Sequence, residues 1–396
     1  MKYDAIVLGV GGMGSATVYE LAKRGKKVLG LERFNIAHDS GSSHGINRII
    51  RLAYAEDPRY VPLVRRAYER WREIENLISE RLLFITGGID AGPEQGEIIQ
   101  GSLRACREHS LPHERLDSAD LRRRFPGYAF PKEKELVAVY QPDGGFVLSE
   151  RAIIGYVMAA QALGAEIHAR ECVGQWEAKK DQVVVHTDRG SYTADSLVIT
   201  AGPWAAQAVP ELKAGRLKAG RLAVPERQVL IWTQPLRPEY FMMGRFPVFN
   251  MEAADDTATN RYYGFPVYGF PGFKMGRYHH LSEEVDPDRM DRDCHRKDEE
   301  TLREAIRVYF PDADGPTMAM KTCLFTNSPD EHFILDLHPG FPNVSIAAGF
   351  SGHGFKFASV VGEIMADFAL EGGHKRFDLD LFRVARARKP AGSQNQ

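Results

Sequence analysis

The chain opens on a short apolar run, Tyr3-Asp4-Ala5-Ile6-Val7-Leu8, of the kind a buried parallel strand requires. Gly9, Gly11 and Gly14 follow in a G-x-G-x-x-G spacing. Ser15–Arg24 then supplies good helix formers, and Gly25 stops them. Lys27–Leu31 is a second apolar run that ends at Glu32. The pattern predicts a β-α-β unit. Downstream, the period predicts an amphipathic helix over 62–80, then short strands and a helix over 84–145, with turns at Gly87-Gly88 and Pro142–Gly145. A helix over 149–165 carries an apolar face of Ala152, Ile153, Tyr156, Val157, Ala160 and Leu163. Strands are predicted over 166–186 and at Leu197–Gly202, and the aromatic- and Pro-rich stretch 225–280 reads as strands of a further sheet. A charged, solvated helix is predicted over 286–308. A final helix over 357–370 is striped by Val360, Val361, Ile364 and Phe368, and the polar tail 389–396 reads as frayed.

The glycine spacing has a physical meaning in this context. Gly9 permits a tight turn, Gly11 removes a side chain so that backbone can approach a pyrophosphate, and Gly14 lets helix and strand pack closely. The helix N-terminus supplies amide donors and partial positive charge to phosphates, and Glu32 can accept from ribose hydroxyls. A glycine-rich surface turn would leave Glu32 and both strands unexplained. After Glu32 the alternation of strands and helices breaks into a polar loop, 38–54, that holds His44, Arg48 and Arg51. Rossmann-like material returns only at Leu197–Gly202, which resembles the discontinuous FAD domain of large flavoproteins. The expected class is α/β. A Rossmann-like FAD-binding domain is made from 1–83, 146–218 and 321–385, and an α+β substrate domain with a large mixed or antiparallel sheet from 84–145 and 219–320.

Composition narrows the partners. The 396 residues suit two or three domains, and 43% hydrophobic with 26% charged is ordinary for a globular protein. A net charge of −2 gives no field that would favour nucleic acid or an anionic membrane. No apolar run approaches the roughly 18–20 residues that span a bilayer. Cys106, Cys172, Cys294 and Cys323 are widely spaced with no C-x-x-C pair, so no metal site is expected and a reducing cytoplasm is the default.

Three segments carry chemistry: Ser42-Ser43-His44-Gly45-Ile46-Asn47-Arg48-Ile49-Ile50-Arg51, then Lys321-Thr322-Cys323-Leu324-Phe325-Thr326 with Asp330–Asp336 behind it, and Ala348–Lys356, which contains GFSGHGFK. Together with the N-terminal fingerprint they resemble the monomeric sarcosine oxidase and N-methyltryptophan oxidase family, within the D-amino acid oxidase-like superfamily. The resemblance implies FAD, attached through a thioether to Cys323. It implies that Arg51 and Lys356 clamp a substrate carboxylate, and that His44, Arg48 and Tyr263 sit by the flavin. Lys274 resembles the lysine associated with oxygen activation. Arg33, Ser40, Val173, Gly202, Gly352, Gly354 and again Lys356 are expected beside the cofactor. The sequence also departs from the family pattern. The family's active-site histidine follows its lysine by four residues, whereas here His279, with His280 as the alternative, stands one residue or more later. Phe325 stands where sarcosine oxidase carries a tyrosine and Asn47 where a threonine is usual. Losing that phenol suggests a larger or more apolar substrate.

The activity implied is oxidation of a small carboxylate-bearing secondary amino acid, N-methyl or cyclic, to an imine that hydrolyses, with O2 reduced to H2O2 by a monomer. The alternatives are a same-fold dehydrogenase that passes electrons to a quinone or carrier, and a fructosyl amino acid or pipecolate oxidase. A flavin-bound sensor without turnover would have no use for Arg51, Lys356 and Lys274.

Overall fold

The computed structural model describes residues 2–212, 221–253 and 260–388. The β-α-β unit is present as Lys2–Leu8, Gly12–Lys23 and Val28–Glu32. The helix starts three residues ahead of the predicted position because Gly11, in an extended conformation, serves as its N-cap. Lys2–Leu8 pairs in parallel with Val28–Glu32 on one side and with Ser191–Ile199 on the other. Glu166–Ala169 and Phe341–Ala348 extend the parallel set at either edge. A hairpin of Val173–Lys179 and Gln182–Thr187, and the strand Ile334–His338, add antiparallel pairs, giving eight strands among the described residues. The central parallel strands are largely buried and rich in Val, Ile and Leu, as a sheet covered on both faces requires, whereas Glu166–Ala169 and Val173–Lys179 at the edges are not.

The glycine helix lies against the C-terminal helix Ala358–Glu371. Their approach depends on Gly362, where a Cβ would stand 2.6 Å from the Ala16 backbone. Gly14 serves the helix–strand contact in the same way, since a Cβ there would meet the Gly9 carbonyl oxygen at 1.8 Å. The amphipathic helix Val61–Ile78 buries Leu63, Val64, Ala67, Trp71 and Ile74 in the same core.

The second sheet has nine strands among the described residues, antiparallel except where Gly88–Pro93 runs parallel to Val248–Ala253. Its core is aromatic, with Tyr128, Phe246, Phe249, Phe273 and Phe310 in mutual ring contact. The ten-residue strand Val224–Thr233 is flanked by Phe273–Arg277 and Thr317–Asn327. A three-stranded ribbon, Asn47–Ile50, Gly145–Leu148 and Leu83–Ile85, packs Phe146 and Leu148 onto this sheet near Val248 and Phe265.

Two expectations are corrected. The boundary placed at 321 cuts through a strand of the second sheet: Thr317–Asn327 stays paired with Val224–Thr233 throughout, with Cys323 opposite Gln228. The charged stretch over 286–308 is helical only as Arg296–Tyr309. A capping box between His295 and Asp298 starts the helix there, and Pro287 and Asp288 lie in the turns before it. The boundary at 218–219 and the tail 389–396 lie outside the described residues. No helix among the described residues is long and apolar enough to cross a membrane.

Candidate active site

A cavity of about 680 Å³ runs along the C-terminal ends of the parallel strands to the face of the second sheet. Its first end is lined by Gly9, Gly11, Gly12, Glu32, Arg33, Val173 and Gly202. Gly9 has φ +92°, and a Cβ there would lie 2.6 Å from the Thr200 carbonyl oxygen, so only glycine turns here. A Cβ on Gly11 would meet nothing within 4 Å, so its backbone is bare toward the cavity. The helix that follows has no side-chain cap, which leaves its first amides and the positive end of its dipole for an anion. The Glu32 carboxylate is fixed in the wall, accepting from the Val10 and Phe34 amides at 2.9 Å each. Arg33 pairs at 2.6 Å with Asp288, which also accepts from Trp204 Nε1 and Gln207 Nε2. Asp288 closes this end from the second unit, and the predicted helix over 286–308 hid it. Ser40 does not line the cavity; its carbonyl accepts from Arg292, while Gly41, Ser42 and Ser43 form the wall. Gly14 lies inside the helix–strand contact.

The middle is built by the loop before Asn47 and by the Cys323 strand. Cys323 is buried, with Arg48 Nη2 3.6 Å from its sulfur. Burial pushes the thiol up, but His44 and Arg48 together bring it down to about 7. His44 is buried, and neither ring nitrogen has a hydrogen-bond partner among the described residues. Arg48 is held by the Asn47 and Ser42 carbonyls at 2.9 and 3.0 Å. Lys274 sits one layer back, outside the cavity lining. Its Nζ donates to the Gly45 and Asn47 carbonyls and to Asn47 Oδ1 at 2.7–2.9 Å, and stands 4.1 Å from the Phe265 ring centroid. Burial and Arg48 push its pKa well down. Three acceptors nevertheless match the three N–H bonds of an ammonium, which a neutral amine cannot supply. Asn47 therefore supplies two of the three acceptors. Tyr263 and Phe325 line the same stretch, and Gly352, at φ +76°, makes room for the Phe325 ring, which a Cβ would meet at 2.4 Å. Gly354 likewise lines the wall, leaving space for Phe350.

The far end holds two buried cations. Arg51 Nη2 donates to both Glu56 oxygens at 3.1 Å, Nη1 to the Ala53 carbonyl at 2.7 Å, and Nε lies 3.6 Å from Asp90 Oδ1. Asp90 is itself buried and accepts from Ser102, Gln141 and Asn250. Despite burial, Arg51 holds the Glu56 carboxyl down at about 2. Lys356 Nζ donates to the His353 carbonyl at 2.7 Å and lies 3.4 Å from the Tyr54 hydroxyl. Burial and the neighbouring Arg51 push the Lys356 pKa down to about 7. Glu56 and Asp90 were not anticipated; a lone acid in a loop or strand carries no sequence signal of its own.

The histidine expectation is corrected. His279, at φ +54°, turns away from the cavity, with Nδ1 2.8 Å from Glu226 and Nε2 3.0 Å from Glu331. Those carboxylates push its pKa up to about 9. His280 is buried 2.9 Å from Asp298 on the other side. Tyr278, the residue four after Lys274, lines the cavity instead. Its ring centroid lies 5.1 Å from that of Phe325, and its hydroxyl donates to the Ser351 carbonyl. The phenol thought lost with Phe325 is thus present, from the neighbouring strand end.

Residues 4–368 match the family model described as FAD dependent oxidoreductase. The chain is 40% identical to a monomeric sarcosine oxidase from Streptomyces avermitilis, over 93% of this chain and 94% of that protein. It is 34% identical to an N-methyl-L-tryptophan oxidase from Citrobacter koseri, over 98% and 99%. Among solved structures, NikD, an unusual amino acid oxidase essential for nikkomycin biosynthesis, superposes with TM-score 0.81 at 26% identity, covering 96% of this chain and 97% of that one.

The placement of His279 makes a prediction about stability. Its pKa is raised on folding, so the ion pairs stabilise fully below about pH 6.5 and the effect is lost as pH rises through about 9. His279→Gln should lower the urea midpoint near pH 6 and leave it unchanged near pH 10, with turnover little altered. A large loss of turnover at unchanged stability would restore a catalytic role.

Proposed function

The chain belongs to the family of FAD-dependent oxidoreductases, and from that premise we propose that it oxidises a small secondary amino acid, N-methyl or cyclic, with O2 as electron acceptor. The observation that carries this is the pair of buried cations, Arg51 and Lys356, at the end of the cavity opposite the nucleotide cradle. The residues fit FAD: a bare glycine turn, an uncapped helix end, a fixed acid and a buried cysteine lie along one cavity. When bound, FAD takes a hydride equivalent from the carbon beside the amine and hands the electron pair to O2.

The protein's own part is to bind and orient. Arg51 and Lys356 hold the substrate carboxylate, Arg by a planar fork and Lys as a point charge. To use its outer nitrogen, Arg51 exchanges the Glu56 carboxylate for that of the substrate. An alkylammonium titrates near 10.4 in water, roughly as lysine does, and has no lone pair to stabilise a forming iminium. Burial among Arg48, Arg51 and Lys356 lowers that value and favours the free amine. Tyr263, Tyr278 and Phe325 exclude water around it. Arg48, beside His44, places positive charge at the middle of the cavity, where it would stabilise negative charge on a bound flavin. Lys274 acts on oxygen from behind the Gly45–Asn47 backbone, as an ammonium held by three acceptors. We place it as a monomer in a reducing cytoplasm; none of its four cysteines is in a disulfide.

We assign Cys323 as the covalent anchor of the flavin. The support is its thiol, lowered to about 7 by His44 and Arg48, since the thiolate is the nucleophile. Acid-precipitated protein should stay yellow, and Cys323→Ala should lose its colour on precipitation. Flavin released from precipitated wild type would contradict the anchor.

An amine panel tests the reaction. Sarcosine, longer N-methyl amino acids, pipecolate, proline and a fructosyl amino acid are assayed for peroxide and formaldehyde, in air and under nitrogen with an artificial acceptor. Peroxide and formaldehyde in equal amounts from an N-methyl amino acid are expected. Turnover only with the artificial acceptor would make the protein a dehydrogenase, peroxide from pipecolate or proline without formaldehyde would select the cyclic branch of the class, and peroxide only from the fructosyl compound would move the substrate class.

A further inference from the structure

A second cavity, of about 550 Å³, adjoins the first and shares Arg51, Glu56, Asn250 and Tyr278 with it. One wall is the helix Glu97–His109, which contributes Glu97, Gln100, Gly101, Arg104 and Arg107, three and four residues apart on one face. The helix sits directly on the loop that carries Glu56, because a Cβ on Gly101 would lie 2.1 Å from the Ala55 carbonyl oxygen. The two cavities therefore meet at Arg51 and Glu56, which belong to the wall of both.

The charges of this cavity can be paired off. Glu56 takes Arg51 at 3.1 Å, and Glu97 takes Arg261. Glu331 takes His279 at 3.0 Å, and Asp330 takes Arg386 at 2.9 Å. Every carboxylate in the lining thus has a cation. Arg104 and Arg107 are exposed, and neither has an ion-pair or hydrogen-bond partner among the described residues. What remains uncommitted is two positive charges on one helix face, lining a cavity that shares Arg51 with the proposed carboxylate site.

We propose that the second cavity binds a second anionic group of the substrate, so that the enzyme prefers secondary amino acids whose side chain ends in a carboxylate. This rests on the function proposed above and narrows its substrate class to amino dicarboxylic acids. The contact is half in water and salt-sensitive, so two exposed guanidiniums give a modest preference, about tenfold, rather than an absolute requirement. An apolar tail of the same length gains nothing from Arg104 and Arg107.

The test is direct binding to the holoenzyme, which does not depend on turnover. Succinate, glutarate and adipate are titrated calorimetrically beside their half-amides, with wild type and the Arg104→Gln/Arg107→Gln double variant. Wild type should bind the best dicarboxylate about tenfold tighter than its half-amide at low salt, and the preference should vanish in the double variant and shrink in high salt. Equal binding of acid and half-amide by wild type, or a preference that survives in the double variant, overturns the proposal. N-methylglutamate and N-methylglutamine are assayed for peroxide in parallel. If neither they nor any other amine is oxidised while the dicarboxylate preference holds, the oxidase reading fails and the anion site stands.

Discussion

A guanidinium buried at the joint between two sheets must be paired and hydrogen-bonded, because stripping a cation of water costs several kcal/mol even after the protein relaxes. Arg51 is that group. It leaves the three-stranded ribbon just after Ile50 and meets Asp90 from the second sheet. Gln141 accepts from the Ala53 amide and donates to Asp90, while Ser102 and Asn250 supply the remaining donors to that carboxylate. A loop, two strands of the second sheet, the neighbouring Asn250 strand and a helix are thereby fixed around one charge. This cluster forms the wall at which the first cavity meets the second.

The same cluster sets the chemistry of the cavity's end. Asp90 is committed from behind and Glu56 from the front, so Arg51 is charge-balanced before any ligand arrives. Lys356 feels both the burial and the Arg51 charge, and its pKa falls to about 7. A carboxylate that displaced Glu56 from Arg51 would keep that guanidinium paired and would also face Lys356, which Glu56 and Asp90 reach only through space. At the middle of the cavity the balance is reversed. Arg48 and His44 stand by the sulfur of Cys323 and draw its proton away, while Glu150 holds the Gly45 and Ile46 amides beside them.

Much of this was legible in the sequence, for identifiable reasons. The glycine turn could be read because the backbone at Gly9 and Gly14 leaves no room for a side chain, and Glu32 because an acid ends the second strand of that unit. Arg51, Cys323 and Lys356 were expected from the resemblance of their segments to a family, and all three line one cavity. Residues reached from elsewhere in the fold could not. Asp90 and Glu56 matter only through Arg51, and Asp288 only through Arg33 and Trp204. The histidine failed by one residue. The strand ends at Arg277, and the left-handed turn at His279 sends its ring to two carboxylates, so Tyr278 is the residue that faces inward. The division at 321 failed because an eleven-residue strand with mixed polarity at its start gives no sign of where its partner ends.

On the proposed function the buried pair Arg51 and Lys356 receives a carboxylate, and Lys356, its pKa lowered to about 7, sets the pH range in which it does so. The most direct measurement is the affinity of the holoenzyme for a simple carboxylate, such as propionate, as a function of pH. Lys356 is charged below its pKa, so affinity should be highest below about pH 7 and fall as pH rises through and above it, with bound anion shifting the loss upward. In Lys356→Met the affinity should be lower and flat over the same range. A wild-type affinity that does not change between about pH 6 and pH 9, or a fall that persists unchanged in Lys356→Met, would contradict the account.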